Sequence, residues 1–339
     1  MHWFHYHIIF VATDLADDSF WLRLMETYYN KYFMKHQPLV TIITNTKNRA
    51  NLISRCIESI QKQTYQNYEH IIADGGTDNT EAVVKSYQDK HIKYIKVPVG
   101  GPIKQTKAAF EISRGDYITF LDDDDEYLPE KLFKQLELIQ SLPEEYGFIY
   151  GSMSYFDNNS KEFLYDHTAS IEGGKEILPL AIANPVICGT PTLMFRRKVF
   201  EAIGGTWISD IGNEMSDWAL SCKAIAMGWK VGALKESYLK IYVNHNSVRM
   251  SDSRFYKDNA ERYIKFHNYF LNEYSYIIEN NPISGVFHYQ ILIRCYISHN
   301  RLKDAYGIWK KLMNACLTIK NCFLLPYYLF QYIMKKSVF

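Results

Sequence analysis

Four consecutive aspartates at positions 122–125 are the residues of this sequence whose type and spacing most directly suggest chemistry. They follow residues 117–121 (YITFL), a run of aromatic, β-branched and aliphatic residues that predicts a buried strand. Carboxylates about 4 Å apart repel by roughly 1 kcal/mol per pair in bulk water and by about 4 kcal/mol at an effective dielectric of 20, so a folded protein rarely crowds them without a cation. Oxygen ligands favour a hard divalent cation, Mg²⁺ or Mn²⁺. The alternative is a solvated acidic loop that caps a helix predicted over residues 129–141.

Strand and helix patterns alternate along the chain up to this acidic cluster. Strands are predicted over residues 39–44, 68–73, 91–97 and 117–121, and helices over residues 51–64, 80–87 and 103–113. Such alternation predicts a doubly wound α/β sheet. Because a buried parallel sheet binds ligands at the carboxyl ends of its strands, we expect the acidic cluster at the ligand-binding edge.

Length, charge and cysteine content limit the classes of protein to which the chain can belong. Its 339 residues suffice for one large domain with appendages, and its net charge of +1 gives no support for nucleic-acid binding. The six cysteines are interpreted as reduced thiols of a cytosolic protein. No apolar run reaches the roughly 18 to 20 residues that span a bilayer, and the first residues lack the features of a signal peptide. Residues 1–37 are predicted to form an N-terminal extension packed on the domain that follows.

Five short motifs occur in order along the first half of the chain. They are NR at 48–49, QTYQNYE at 63–69, DGGTD at 74–78, RGDYI at 114–118 and FLDDDD at 120–125. This series resembles the family 2 glycosyltransferases, and with the segments that follow the resemblance extends over residues 39–250. It implies a GT-A fold, which is a Rossmann-like α/β domain that binds nucleotide-diphosphate sugars.

The resemblance also implies a nucleotide site at the ends of the first, second and acidic strands. Its residues would be Thr46, Asn48, Arg49, Asp74, Lys107, Asp122 and Asp123. Asp74 would accept a hydrogen bond from the imide N–H of the base, since a carboxylate accepts but cannot donate. This suits a UDP-sugar, although the N1–H of guanine would suit GDP equally. The alternative for Asp74 is a turn-forming residue.

Within the acidic cluster the resemblance implies a division of roles. Asp122 would face the ribose, Asp123 would occupy the variable middle position, and Asp124 would bind the metal that bridges the diphosphate. Asp125 would orient the site or cap the next helix. The chain departs from the family in two places: the turn after the second strand is one residue shorter, and Gln-Thr-Lys replaces a common Ala-Arg-Asn. Lys107, the lysine of that tripeptide, or Lys104, just before it, is predicted to contact a phosphate, and the alternative is a solvated side chain.

Beyond the acidic cluster the sequence predicts a strand over residues 148–156, a polar loop through residue 166 and another strand over residues 237–243. A second set of motifs lies in this part of the chain. Residues 193–205 and 214–220 resemble the second-half signatures of the family, in which an aspartate is the general base. A carboxylate within hydrogen-bond reach can take the proton of an acceptor hydroxyl as the hydroxyl attacks the anomeric carbon. Asp217 is the candidate base and Glu214 is held in reserve, while a helix N-cap is the alternative role for Asp217. Inversion of the anomeric carbon is inherited from the resemblance.

His245 lies in the segment YVNHNS at 242–247, which resembles the closing histidine segment of the family. Its imidazole would coordinate the metal or contact the diphosphate. The alternative is a structural histidine with satisfied hydrogen bonds. The predicted metal ligands are therefore Asp124 and His245.

Helical patterns dominate the chain after residue 250. They cover residues 254–279, 285–298, 302–317 and 323–336. The last is apolar and aromatic and is flanked by lysines, which suits a helix in a membrane interface, where a lipid-linked acceptor would be found. The alternative is a helix docked on the catalytic domain or on a partner subunit. The predicted domains are an N-terminal extension over residues 1–37, a GT-A domain over 38–250 and a helical C-terminal region over 251–339.

The sequence thus predicts an inverting, metal-dependent glycosyltransferase that uses a nucleotide-diphosphate sugar, with a UDP-sugar favoured. Its acceptor would be a glycan or a lipid-linked molecule in the synthesis of lipopolysaccharide, capsule or another surface polysaccharide. The enzyme would be cytoplasmic and peripheral on the inner face of the cell membrane. A nucleotidyltransferase is one alternative, but it would need a glycine-rich phosphate loop, and residues 45–49 contain no glycine. A non-catalytic binding or scaffold protein is the other, and the intact Asp122, Asp124 and Asp217 count against it.

Overall fold

The predicted α/β fold with C-terminal helices is confirmed by the computed structural model. The structure describes residues 37–97, 101–187, 189–204, 216–243, 260–317 and 319–336. Every element below belongs to one compact unit, Val40–Phe339. Apart from its last residue, the N-terminal extension predicted over residues 1–37 lies outside the described residues.

Nine strands and twelve α-helices lie in the described residues. The strands are β1 (Val40–Thr46), β2 (Tyr68–Asp74), β3 (Ile92–Lys96), β4 (Tyr117–Phe120), β5 (Glu126–Tyr127), β6 (Tyr146–Asp157), β7 (Phe163–His167), β8 (Met194–Arg196) and β9 (Lys230–Val243). The helices are α1 (Ile53–Gln61), α2 (Thr80–Ser86), α3 (Gly101–Ile112), α4 (Lys131–Ser141), α5 (Leu178–Ala183), α6 (Arg197–Ala202), α7 (Ser216–Ala226), α8 (Ala260–Glu273), α9 (Ser275–Asn280), α10 (Val286–Ser298), α11 (Leu302–Ala315) and α12 (Ile319–Lys336).

The strands form one mixed sheet in the order β3-β2-β1-β4-β8-β6-β9-β5, with β7 paired to β6. Strands β3, β2, β1 and β4 are parallel, whereas β8 is antiparallel to both β4 and β6. The chain runs outward from β1 to β3 and then crosses back to place β4 on the other side of β1. The carboxyl ends of β1 and β4 therefore form a topological switch point, where open α/β sheets bind their ligands.

The centre of the sheet is covered on both faces. Every residue of β2 and β4 is buried, as expected for parallel strands flanked by helices. Ile42 of β1 belongs to the core formed with α1 and α4, whereas the next residue, Ile43, belongs to the core on the opposite face. Since both faces are filled by apolar side chains, the polar strand ends and the loops after them are the places left for a ligand site.

The second half of the sheet differs from the sequence prediction. Strand β9 begins at Lys230, although the sequence predicted a strand over residues 237–243 only, because the polar residues 235–237 interrupt its apolar pattern. Strand β7 occupies part of a segment predicted as a polar loop. It pairs with β6 through cross-strand aromatic contacts, such as Tyr155 stacked on Tyr165 with ring centroids 4.5 Å apart. Such pairs stabilise a strand only when the neighbouring strand is present, so the sequence of residues 163–167 alone does not predict β7.

The helical C-terminal region is described from Ala260 onward. Helices α8 and α9 contribute Phe266, Phe270 and Ile278 to the core of the sheet, whereas α10, α11 and α12 pack in a separate core. One helix was predicted over residues 254–279, but the described part is broken at Tyr274 into α8 and α9. The division of the chain at residue 250 stays a prediction. None of the described helices is both long enough and apolar enough to cross a membrane.

Candidate active site

The turn after β1 and the acidic loop after β4 meet at the switch point of the sheet. Arg49 Nη1 donates hydrogen bonds to Asp123 Oδ1 at 2.8 Å and to Asp124 Oδ2 at 3.0 Å. The side chains of both aspartates are only 5% exposed, so water screens their charges weakly. The structure therefore brings together three residues that the sequence assigned to one site.

Asp123 is the aspartate whose ionisation the surroundings change most clearly. Burial raises its pKa to about 6, an effect that the Arg49 guanidinium opposes and the Asp124 carboxylate reinforces. Asp122, by contrast, is exposed at the end of β4. The sequence analysis assigned Asp123 to the variable middle position of the motif. In the structure it is a buried residue with a hydrogen bond to Arg49.

Asp125 connects the acidic loop to β9. It is fully buried, and its Oδ1 accepts a hydrogen bond from the Tyr242 N–H at 2.9 Å. Helix α4 begins at Lys131 with Glu130 at the N-cap position and no capping side-chain hydrogen bond. The acidic cluster is therefore not the cap of α4, which was the alternative left open by the sequence.

The turn after β1 has a backbone conformation that suits asparagine. Asn48 has a φ of 55°, in the left-handed region, where asparagine is tolerated better than most residues. Its Oδ1 accepts a hydrogen bond from the Thr77 N–H at 2.6 Å, and Gly76 packs directly against it. These contacts join the turns after β1 and β2, and they fix the position of the next residue, Arg49.

A side chain at position 76 would have no space in this arrangement. A Cβ there would lie 2.7 Å from Asn48 Oδ1 and closer still to the Asn48 backbone nitrogen. We expect Gly76→Ala to lower the free energy of unfolding by about 1–3 kcal/mol, the usual cost of overpacking, as measured by urea denaturation. Nucleotide binding should weaken too, because Arg49 moves with Asn48.

Gly307→Ala is the matched control for this substitution. A Cβ on Gly307, in α11, would have nothing within 4 Å, so the alanine should stabilise the helix by up to about 1 kcal/mol. A Gly76→Ala protein as stable as the parent would show that the turn moves aside without cost.

Asp74 ends β2 and is completely buried. Its Oδ2 accepts hydrogen bonds from Lys96 Nζ and from the Tyr94 hydroxyl, both at 2.7 Å, and its Oδ1 accepts one from the Gly76 N–H at 2.6 Å. A carboxylate has about four lone-pair sites, so these bonds leave Oδ1 able to accept one further donor. The predicted contact with the imide of a base stays a prediction, and it is restricted to Oδ1.

Helix α3 directs Gln105, and not Lys107, toward the strand ends. Gln105 Nε2 donates to the carbonyl oxygens of Thr46 and Ala73, each at 2.8 Å, and so joins the ends of β1 and β2. Thr46 and Gln105 are both buried, whereas Lys107 is exposed. The sequence assigned Lys107 to a phosphate, and that contact stays a prediction.

Arg55, on α1, is a second guanidinium beside the acidic loop, and sequence reasoning missed it. Its Nη1 donates to the Asp124 carbonyl oxygen at 3.0 Å and its Nη2 to Asn158 Oδ1 at 2.9 Å. The guanidinium also lies 3.9 Å from the centroid of the Tyr242 ring, a cation–π contact. No local pattern distinguishes Arg55 from an ordinary helix arginine, because its partners come from distant segments.

Asp217 lies in the first turn of α7 and is held by the loop before β8. Its Oδ2 accepts a hydrogen bond from the Gly189 N–H. Burial raises the pKa of Asp217, and the Gly189 N–H opposes the rise. Gly189 has a φ of 86°, and a Cβ on it would lie 3.2 Å from Met153, so glycine suits the position. A carboxylate with a raised pKa is a stronger base than that of an exposed aspartate, which suits it to accepting a proton.

Trp218 fixes the residue next to Asp217 against the C-terminal helices. Its ring centroid lies 4.8 Å from that of Phe270 and 5.1 Å from that of His288, on which it stacks. His288 Nδ1 is in turn 2.8 Å from His267 Nδ1, and burial lowers the pKa of both imidazoles, that of His288 to about 4. The pair is therefore neutral at physiological pH, and helices α8 and α10 support the start of α7.

The acidic loop offers ligands that fit Mg²⁺ or Mn²⁺. These ions bind through oxygen, commonly through one or two carboxylates completed by substrate phosphates. The Arg49 guanidinium on Asp123 and Asp124 shows that the loop attracts positive charge. In the part of the chain that the structure describes, no three His, Cys, Asp or Glu side chains form a group that could hold a metal.

Apart from Lys107, which is exposed on α3, the predicted site residues fall into three groups. Those at or beside the ends of β1, β2 and β4 are Thr46, Asn48, Arg49, Asp74, Asp122, Asp123 and Asp124. Asp217 lies apart from them in sequence and contacts Gly189. The predicted metal ligand His245 and the reserve base Glu214 lie outside the described residues.

Comparison with known proteins finds a matching family model and several similar chains. The family described as Glycosyl transferase family 2 matches residues 41–204. An uncharacterized glycosyltransferase of Rickettsia bellii is 37% identical over 168 residues, which are 48% of this chain and 24% of the relative. The GalNAc(5)-diNAcBac-PP-undecaprenol beta-1,3-glucosyltransferase of Campylobacter jejuni is 27% identical over 264 residues, 69% of this chain and 82% of the relative. The chain spans from about a quarter to about half of the length of the first three Rickettsia relatives that it matches.

Two solved structures share the fold. S. aureus TarS in complex with UDP-GlcNAc has a TM-score of 0.55 and 18% identity, covering 87% of this chain and 80% of that chain. The mannosyltransferase PcManGT from Pyrobaculum calidifontis, in complex with GDP-Man and Mn²⁺, has a TM-score of 0.53 and 15% identity, covering 92% and 93%. At these identities the likeness concerns the fold alone.

Proposed function

We propose that this chain, whose residues 41–204 match the family described as Glycosyl transferase family 2, is a glycosyltransferase. It would be an inverting, metal-dependent enzyme that transfers a sugar from a nucleotide-diphosphate sugar to a glycan or lipid-linked acceptor. One observation carries the proposal: Arg49, from the turn after β1, spans Asp123 and Asp124, from the loop after β4. These groups stand at the switch point of the sheet, where a nucleotide would bind.

Donor binding would rest on the ends of β1, β2 and β4. The negative charge of a nucleoside diphosphate lies on its pyrophosphate, and a guanidinium such as that of Arg49 matches phosphate oxygens in geometry and charge. Thr46 and Asn48 would line the adjoining turn, and the exposed Asp122 would contact the ribose. Asp74 would accept the imide N–H of uracil through Oδ1, which favours a UDP-sugar.

A bound Mg²⁺ or Mn²⁺ would supply Lewis-acid stabilisation of the departing diphosphate. Asp124 would hold it, together with the predicted ligand His245. Asp124 Oδ2 already accepts a hydrogen bond from Arg49. A cation bound to this carboxylate would repel the Arg49 guanidinium, and the diphosphate would offer the guanidinium a new partner of opposite charge.

Asp217 would act as the general base. A bond forms between the acceptor oxygen and the anomeric carbon as the bond from that carbon to the diphosphate breaks, and the hydroxyl proton moves to the carboxylate. The hydrogen bond from the Gly189 N–H to Oδ2 would hold the carboxylate in place for this transfer. A single displacement of this kind inverts the anomeric carbon.

The acceptor and the setting are proposed from the relatives. The Campylobacter jejuni relative acts, by its name, on an undecaprenol-linked saccharide. By analogy we propose a lipid-linked saccharide as acceptor, in the synthesis of lipopolysaccharide, capsule or another surface polysaccharide. The enzyme would then work in the cytoplasm, peripherally on the inner face of the cell membrane.

A panel of nucleotide sugars tests the donor and the metal. We expect a UDP-sugar with Mn²⁺ to raise the melting temperature, by an amount equivalent to about 2.7 kcal/mol at a nucleotide concentration of 100 Kd. The same sugar should be hydrolysed slowly, because water replaces the missing acceptor, and EDTA should abolish both effects. A response to GDP-sugars alone would overturn the donor assignment, and hydrolysis that survives EDTA would overturn the metal dependence.

A further inference from the structure

Helix α12 is apolar on two sides. Its inner side belongs to the core that it shares with α10 and α11. On its outer side, Phe323, Tyr327 and Phe330 are exposed by 66%, 55% and 63%. Spacings of four and three residues place these side chains on one side of the helix, which we call the aromatic face. The inner side is apolar because it packs against α10 and α11. The aromatic face is exposed, and a cluster of exposed aromatic side chains is typical of an interaction site.

The last two helices are also strongly basic. Residues 301–336 contain seven basic residues and one acidic residue, a net charge of +6, whereas the whole chain carries +1. The basic residues are Arg301, Lys303, Lys310, Lys311, Lys320, Lys335 and Lys336, and the acidic residue is Asp304. Those of α11 are exposed, and those of α12 flank the aromatic face in the sequence.

We infer that the aromatic face of α12, together with the lysines of α11 and α12, docks the protein on an anionic membrane surface. Aromatic rings on one side of a helix enter the boundary between headgroups and acyl chains, and anionic headgroups attract the basic residues of α11 and α12. The purpose of this docking rests on the proposed function, since it would hold the enzyme at the surface where a lipid-linked acceptor is found.

A second copy of the chain fits this face less well. In a symmetric dimer the same patch of each subunit meets its counterpart. Such a dimer would bring two copies of these basic helices together, and like charges brought together repel. An anionic bilayer satisfies the aromatic side chains and the basic side chains at once.

Sedimentation of the full chain with vesicles tests the inference. The probes are vesicles of phosphatidylcholine and of equal parts phosphatidylcholine and phosphatidylglycerol. The parent should sediment with the anionic vesicles and be released by high salt, which screens the lysines. The variant Phe323→Ser/Tyr327→Ser/Phe330→Ser should bind them at least about tenfold more weakly. A second variant, Lys310→Glu/Lys311→Glu, should also bind more weakly without any change to the aromatic face.

The matched control removes three exposed apolar side chains elsewhere. Leu164, Tyr276 and Ile283 are exposed by 44%, 56% and 64%, so the triple serine variant at these positions should bind vesicles as the parent does. A parent that stays in the supernatant, or an aromatic-face variant that binds as tightly as the parent, would overturn the inference. The inference would also be overturned if neither protein bound vesicles and the parent were a dimer whereas the aromatic-face variant was a monomer.

The UDP-dependent rise in melting temperature is measured on the same samples. If the aromatic-face variant loses vesicle binding but keeps the UDP-dependent rise in melting temperature, the docking surface is separate from the nucleotide site. Absence of this rise from the parent would count against the proposed function, and vesicle binding by that same parent would still support the docking surface.

Discussion

Asp217→Asn is expected to lower the rate of sugar transfer by about 10²–10⁴-fold, the contribution that a general base usually makes. Asparagine keeps the shape of the side chain and can still accept the hydrogen bond from Gly189, but it cannot take up a proton. Binding of UDP should be retained, because the donor site lies at the ends of β1 and β4. The measurements are transfer to a lipid-linked saccharide with Mn²⁺ present and the UDP-dependent change in melting temperature.

The pH dependence of transfer should identify the same group. Burial raises the pKa of Asp217, so as the pH falls its basic form is lost earlier than that of an exposed aspartate. The transfer rate of the parent should therefore decline on the acid side, and the residual rate of Asp217→Asn should lack this decline. The raised pKa also means that folding disfavours the charged carboxylate at neutral pH, so the variant should not melt at a lower temperature than the parent.

Asp166→Asn is the control for this substitution, since Asp166 is an exposed aspartate on β7. It should leave the rate and its pH dependence unchanged. Transfer by Asp217→Asn at the rate of the parent would remove Asp217 from the base role and would make Glu214 the next residue to replace.

Asp124→Asn is expected to lower transfer by about 10²–10³-fold, the usual cost of losing one group that stabilises developing charge. The amide oxygen can still accept the hydrogen bond from Arg49, so the loop should keep its conformation while one negative charge is removed. UDP should then stabilise the variant to the same small extent with and without Mn²⁺. Titration of Mn²⁺ at fixed UDP, followed by melting temperature, measures this loss.

Asp116→Asn is the matched control, because Asp116 is an exposed aspartate just before the other end of β4. It should respond to Mn²⁺ as the parent does. If Asp124→Asn still needed Mn²⁺ to bind UDP, the metal would have to be held by other residues, and the proposed role of Asp124 would be wrong.

The first half of the fold could be predicted from local patterns. Strand β2 was expected over residues 68–73 and is observed as Tyr68–Asp74, and β4 was expected over residues 117–121 and is observed as Tyr117–Phe120. Buried parallel strands are rich in β-branched, aliphatic and aromatic residues, so each one is visible in its own segment. Strand β7 could not be found in this way, because the aromatic residues that hold it pair with residues of β6.

By itself the sequence determined which chemical groups follow the central strands: a turn with Asn48 and Arg49, a carboxylate at Asp74 and the acidic run at 122–125. Only the tertiary structure decided the partners of these groups. Arg49 bonds to Asp123, Lys96 to Asp74 and Gly189 to Asp217, across 74, 22 and 28 positions of the chain respectively. The physical reason is that a strand or a turn depends on its own residues, whereas a hydrogen bond between distant segments exists only after the sheet has placed their ends side by side.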